Sequence, residues 1–344
     1  MSLATKYRPK TFDDVTEQES VKTILQQQIS SGEIQHAYLF CGGAGTGKTT
    51  TARIFANEIN KGKGNPLELD GASNNSVDDV RNIIQQAKVQ SMDSEYRIFI
   101  LDEVHALSNN AWQALLKLLE EPPKKAVFIM CTTDPQKIPR TILSRVQRFD
   151  FRRISQQGIV DRLVEILRRE FDSSFEVQRG LVVKDLDALT YIAKIADGGM
   201  RDAITLLDKC LAYSKELTVN NVVSALGTVD YDIMVELTDA LYGRNLGEII
   251  GCVEKVYADG KDLKQFVKDY TGFLLDINKF DITHSFEFLQ LPNTYLAVLQ
   301  SKDSEWYNMC RELLPVIVSL NAEIKWDTQP KVAIEAKLLT ECVK

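Results

Sequence analysis

The stretch Gly42-Gly43-Ala44-Gly45-Thr46-Gly47-Lys48-Thr49 constrains this chain more than any other. It satisfies G-x-x-x-x-G-K-[ST], and it lies between an apolar β-type run, HAYLFC (36–41), and a helical pattern, TTTARIFANEIN (49–60). Strand, glycine turn and helix in that order make a phosphate cradle. The glycines let backbone N–H groups turn inward, and the start of the helix adds partial positive charge. In such a loop Lys48 reaches the β- and γ-phosphates and the Thr49 hydroxyl ligates Mg²⁺. Gly42, Gly45, Thr46, Gly47 and Thr50 complete the expected binding segment, so the ligands expected are ATP and Mg²⁺.

A phosphate loop of this kind stands on a parallel sheet, and the first 150 residues supply one. LELDGA (67–72), RIFILD (97–102) and AVFIMC (126–131) are three further strand candidates, separated by helical patterns long enough for right-handed crossovers. Trp112, Leu115, Leu116 and Leu119 recur at helical spacing, and Pro122-Pro123 ends that helix. Beyond residue 153 the strand signals stop. Val160, Leu163, Ile166 and Leu167 mark one amphipathic helix, Leu186, Leu189, Ile192 and Ala193 a second, and Ala203, Leu206, Leu207 and Leu211 a third. After KELTVNN come longer, more acidic helical segments at 230–243, 262–280 and 304–325. The fold expected is an α/β P-loop domain at 1–152, a small helical lid at 153–215 and an all-α domain at 216–344.

Two further elements belong to the nucleotide site by their place in that sheet. Ile98 to Leu101 is a buried strand ending in Asp102 and Glu103. Asp102 at the strand tip can hold the metal, and Glu103 can polarise the water that attacks the γ-phosphate. Thr132-Thr133-Asp134 follows the fourth strand, where a hydroxyl, Thr133 in preference to Thr132, can touch that water or the γ-phosphate.

The formal charge is −7, which taken whole disfavours nucleic acid. Its distribution removes the objection: 216–344 holds 12 basic and 20 acidic residues, so the first two thirds are balanced, 29 against 28. Six cysteines (41, 131, 210, 252, 310 and 342) form no CxxC pair, and the three histidines stand far from them, which argues against zinc and against a disulfide framework. No apolar run reaches the roughly 18 residues of a membrane helix, and the opening MSLATKYRPK lacks a signal-peptide core. A cytoplasmic protein is expected.

Lys6-Tyr7-Arg8-Pro9, HAYLF before the phosphate loop, Asp102-Glu103-Val104-His105, LLEEPP (118–123), TTDPQKIP (132–139), ILSR (142–145) and Gly198 to Ala203 together resemble the AAA+ clamp loaders, in particular the bacterial DNA polymerase III gamma/tau family. The resemblance implies an ATPase that works in an assembly, a pentamer, with other loader subunits, a sliding clamp and primer-template DNA. It implies that Arg145 is an arginine finger reaching a neighbouring subunit's ATP, and that Arg201 on the lid touches the phosphates in cis. Tyr7 and Arg8 match the segment that lines the adenine pocket. Asn74, Asn75 and Arg81 match a region facing DNA.

Three departures qualify the resemblance. The stretch NKGKGNPLEL lacks the family's four-cysteine zinc module, Val146 replaces the cysteine usual after Ser-Arg, and the chain stops at Lys344 without the tau tail. These favour a divergent or phage-borne loader subunit, or a shortened form. Two other readings stay open at this level: another AAA+ replication ATPase such as a helicase loader or branch-migration enzyme, and a non-catalytic scaffold of the same assembly.

Overall fold

The structure is a computed structural model and describes residues 2–89, 93–171, 186–226, 231–286, 289–292 and 295–343; the side chain of Cys342 lies outside that description. The chain divides into two compact units, Met1–Glu170 with Ala196–Thr205, and Phe171–Ile195 with Leu206–Lys344.

In the first unit the order is α1 (Leu3–Lys6), α2 (Glu19–Ser31), β1 (Ala37–Gly42), α3 (Lys48–Ile59), β2 (Leu67–Asp70), α4 (Val77–Ala87), β3 (Arg97–Asp102), α5 (Asn109–Glu120), β4 (Ala126–Thr132), α6 (Arg140–Leu143), β5 (Gln147–Phe151) and α7 (Gln156–Glu170). The strands make one sheet in the order β2-β3-β4-β1-β5, with every pairing parallel. Central strands are apolar on both faces because both are covered, as a parallel sheet requires. Leu39, Phe99, Leu101, Phe128 and Met130 pack on Val80, Ile83, Trp112 and Leu115 of α4 and α5. Tyr38, Phe40, Ile98, Ile100 and Ile129 pack on the opposite side against Leu25, Phe55 and Ile59 of α2 and α3, and against Phe12 and Val15 of the N-terminal arm.

The four expected strands are present, and a fifth, β5, adds to them. QRFDF alternates: Phe149 and Phe151 are buried, whereas Arg148 and Asp150 are exposed and pair at 2.7 Å. At the sheet's edge, one covered face is enough. Its charged outer residues are what hid it.

Two helix starts show why the segments fold where they do. Ser76 and Asp79 form a complete capping box at α4, and Ser108 caps α5 through the Ala111 N–H. The sheet order places β4 between β3 and β1. The ends of these three strands, Asp102, Thr132 and Gly42, therefore lie side by side at the carboxyl edge, where open parallel sheets bind ligands.

The second unit is helical: α8 (Leu186–Ile195), the later part of α9 (Met200–Tyr213), α10 (Val219–Leu226), α11 (Tyr231–Tyr242), α12 (Leu246–Ala258), α13 (Leu263–Thr283), α14 (Leu296–Gln300), α15 (Ser304–Glu323) and α16 (Pro330–Val343). Helices α11 to α16 share one core built on Leu237, Phe266, Tyr270, Phe273, Trp306 and Leu338. Several polar groups against it are paired, although Asp269 Oδ2 and Asn278 Oδ1 are buried without a hydrogen-bond partner among the described residues. Asp239 accepts from the Trp306 indole at 2.8 Å and from Lys302, and the buried Asp276 accepts the Gln290 and Leu291 N–H groups at 2.6 and 2.9 Å. Among the described residues, no helix is long and apolar enough to cross a membrane.

Candidate nucleotide site

At the carboxyl edge of the sheet a cavity of about 280 Å³ is lined by Tyr7, Arg8, Gly45, Thr46, Gly47, Lys48, Thr49, Thr50, Asp102, Glu103 and Arg201, with Thr16, Arg162 and Met200 among the others. Its floor is the loop from β1 into α3. Gly47, the residue before α3, has φ +100, and no side chain caps the helix, so the first N–H groups are left for a ligand. Thr46 donates its hydroxyl to Gly43 O at 2.9 Å. Lys48 is 5% exposed, and its Nζ donates to Gly42 O at 2.9 Å and Gly43 O at 2.7 Å. Burial lowers the Lys48 pKa from the usual lysine range, and the nearby Glu103 and Asp102 carboxylates oppose that fall.

Two acids at the tip of β3 face that floor in different ways. Thr49 donates its hydroxyl to Asp102 Oδ2 at 2.7 Å, so the hydroxyl and carboxylate expected to share a metal already touch. Glu103 turns away from the strand in the left-handed region, φ +45. Its Oε2 accepts the Thr133 N–H at 3.3 Å and the Thr133 hydroxyl at 3.0 Å, and stands 3.2 Å from His105 Nδ1. Gly71 belongs here too, although nothing in the sequence singled it out. Its N–H donates to Asp102 O at 2.8 Å, and a Cβ on it would lie 2.9 Å from Glu103 O and 3.0 Å from Asp102 O. Only glycine lets the end of β2 come this close.

The wall opposite is the turn before α9. Met200 N donates to Gly45 O at 3.0 Å, and an added Cβ on Gly45 would stand 3.0 Å from Gly199 Cα. Two glycines therefore meet backbone to backbone where the loop and the turn touch, and this puts the exposed Arg201 on the cavity. Arg201 makes no ion pair within the chain among the described residues.

The third wall is the N-terminal arm. Arg162 of α7, 7% exposed, donates to Tyr7 O at 3.1 Å and pairs with Glu165, while Lys6 pairs with Glu170. A cation inside an amphipathic helix carries no sequence signal for a partner 155 residues away, so Arg162 was not foreseen.

Other expected residues stand elsewhere. Gly42 ends β1 opposite Phe151 and does not line the cavity. Thr133 meets the site through Glu103. Arg145, just after α6, donates to Thr141 O at 2.7 Å, Ser144 Oγ at 3.1 Å and Glu120 Oε1 at 2.7 Å, away from this cavity. Asn74 donates its side-chain amide to Asp70 O at 3.2 Å, Asn75 O accepts from Ser108 N at 3.2 Å, and Arg81 pairs with Asp78 at 2.9 Å. These last three flank the start of α4. Five cysteines are buried and free, and among the described residues no group of three or more His, Cys, Asp or Glu side chains is arranged to hold a metal.

Residues 65–155 match a family model described as DNA polymerase III, delta subunit, and residues 177–216 match one described as DNA polymerase III clamp loader subunit, ATPase lid domain. The chain is 33% identical to DNA polymerase III subunit tau of Bacillus subtilis over 98% of its own length and 62% of that protein. It is 34% identical to subunit tau of Escherichia coli over 79% of its length and 44% of that protein. It is 29% identical to subunit gamma of Buchnera aphidicola over 98% and 97%. The chain thus spans less than two thirds of either tau relative. Among solved structures, Thermotoga maritima RuvB, a Holliday junction branch migration motor, superposes with a TM-score of 0.52 at 20% identity over 68% of this chain and 79% of RuvB. That likeness shows the AAA+ P-loop fold.

Proposed function

The chain belongs to the DNA polymerase III gamma/tau family of AAA+ clamp-loader subunits, and on that premise we propose that it is an ATP-hydrolysing subunit of a clamp loader. The observation that carries the ATPase reading is the 2.7 Å hydrogen bond from Thr49 to Asp102 beside an uncapped helix start and the buried Lys48 ammonium. This donor set fits a magnesium triphosphate: one hydroxyl and one carboxylate for the metal, one cation and a row of N–H groups for the phosphates. Thr49 and Asp102 would hold Mg²⁺, which when bound neutralises charge on the β- and γ-phosphates.

The protein's own groups do the rest. Lys48 balances phosphate charge, Tyr7 and Arg8 enclose the base, and Arg201 binds phosphate from the first turn of α9. Glu103 takes the proton of the attacking water. Arg145, held by Glu120 and remote from its own cavity, acts in trans on a neighbour's ATP. The α-helical region 216–344 assembles the subunits, and Asn74, Asn75 and Arg81 lie against primer-template DNA. ATP-bound subunits grip and open the sliding clamp, and hydrolysis releases it, because the nucleotide states differ in affinity for clamp and DNA. The setting is the cytoplasm.

Steady-state ATP turnover by the assembled complex, with and without primed DNA and clamp, tests this. Stimulation by both is expected, together with loss of turnover in Glu103→Gln at unchanged ATP binding. Turnover indifferent to DNA and clamp counts against the loader, and turnover surviving Glu103→Gln places the enzyme elsewhere.

A further inference from the structure

A carboxylate on a flexible side chain serves as a base only when its plane and its free oxygen are fixed. Glu103 meets that condition in an asymmetric way. The Thr133 N–H at 3.3 Å, the Thr133 hydroxyl at 3.0 Å and His105 Nδ1 at 3.2 Å all converge on Oε2. Among the described residues, no donor reaches Oε1. One oxygen is an anchor and the other is open.

His105 reaches the anchor because of the local backbone. Glu103 is left-handed at φ +45 and ψ +45, and the 3-10 turn Val104–Ala106 follows, closed by Ala106 N to Glu103 O and Leu107 N to Val104 O at 3.0 Å each. That turn folds residue 105 back over residue 103. The fully buried Thr132 hydroxyl, itself accepting Asp134 N–H at 3.0 Å, lies 3.3 Å from the same Nδ1 and fixes the ring from the end of β4. A carboxylate oxygen only accepts, so the 3.2 Å approach is attractive in the tautomer that carries its proton on Nδ1, where that proton faces both Glu103 Oε2 and Thr132 Oγ1.

From this geometry we infer that His105 is a positioning residue for the hydrolysis proposed above. Its Nδ1–H holds Glu103 Oε2, which leaves Oε1 to take the proton from water. The inference rests on Glu103 being the base of the ATPase reaction. It assigns His105 no contact with nucleotide, and it predicts an effect on turnover without an effect on ATP affinity.

The test measures kcat and the ATP dissociation constant in the complete loader for wild type, His105→Ala, His105→Asn, His105→Gln and Glu103→Gln. His105→Ala is expected to lower kcat by about tenfold with ATP affinity unchanged within about twofold. Asparagine, whose amide nitrogen takes the place of Nδ1, restores most of the rate; glutamine, whose amide lies farther out, does not. If the alanine variant does not fold, judged by its melting curve, the asparagine and glutamine pair decides alone, and equal rates in those two overturn the inference. Wild-type or faster turnover in a folded His105→Ala also overturns it. Glu103→Gln separates the two levels. Activity retained there refutes the underlying reading, whereas a dead Glu103→Gln beside a normal His105→Ala refutes only the role of the histidine.

Discussion

Gly43 and Gly45 stand two residues apart in one motif, yet the structure assigns them opposite sensitivities to alanine. At Gly45, φ is +69, and an added Cβ would lie 3.0 Å from Gly199 Cα, 3.2 Å from Gly199 C and 3.4 Å from Arg201 N. All three are backbone atoms that cannot swing aside. The left-handed conformation costs an alanine about 1 kcal/mol. Displacing the turn weakens the 3.0 Å bond from Met200 N to Gly45 O, which adds about 1 kcal/mol. A loss near 2 kcal/mol in a unit of this size corresponds to a melting temperature lower by about 4–8 °C. Because the same turn carries Arg201 to the cavity, Gly45→Ala is also expected to weaken ATP binding roughly tenfold. At Gly43 the nearest atom to an added Cβ is Thr46 Cγ2 at 3.8 Å, an ordinary contact, and φ is not positive. Gly43→Ala is expected to melt within about 1 °C of the parent, or slightly above it, since alanine restricts the unfolded chain. Thermal unfolding without nucleotide, paired with calorimetric ATP titration, reads both. If the two alanines lower the melting temperature equally, the contact between loop and turn is not what constrains the motif.

Three other outcomes follow from buried charge. In Lys48→Met ATP binding should fall at least tenfold in a calorimetric titration, the worth of one charge-assisted phosphate contact; and because the folded state holds the Lys48 proton less tightly than the unfolded chain, the parent gains stability relative to the variant as pH rises through the folded pKa toward 10.5, a difference that denaturation across that window would show. Arg162→Met removes a buried donor from Tyr7 O, which should cost about 2 kcal/mol; proteolysis should then begin in the arm near Arg8, with ATP affinity reduced, and an arm still protected refutes the tether. In α13, burial raises the Asp269 pKa, and its Oδ2 is buried without a hydrogen-bond partner among the described residues; Asp269→Asn should stabilise by about 1 kcal/mol at neutral pH, an advantage that shrinks as acid protonates the parent below its raised folded pKa and toward 3.8.

The sheet and its phosphate loop could be read from the residues because both leave dense local signals: continuous apolar strands covered on two faces, and glycines next to Lys48-Thr49. Asp102 and Glu103 could be read because they end such a strand. What escaped was non-local or concealed by charge. β5 shows only two apolar residues among charged ones, and Arg162 looks like any helix cation until Tyr7 is placed beside it. Gly71 is an ordinary turn glycine in the sequence, and Gly199 is marked only as part of the Gly198 to Ala203 resemblance; the approach of Asp102 to the one and Gly45 to the other is what makes their missing side chains matter. His105 was legible as part of Asp-Glu-Val-His, but its return onto Glu103 depends on a left-handed backbone at an acidic residue, which no spacing announces.

Gly42 opens the phosphate-loop motif but sits in the sheet. At φ +154, a conformation that side chains rarely adopt, a Cβ there would also fall 2.5 Å from Phe151 O and 2.9 Å from Phe151 Cβ, so the backbone and the neighbouring strand together forbid any larger residue. Architecture alone is enough to dictate its identity. A relative whose edge strand had been lost or bent outward would shed the clash, and would still have to move this φ out of the positive range before alanine or serine fitted. Screening for worn copies of such loops should therefore judge their opening position by the backbone twist and the adjoining strand before the ligand.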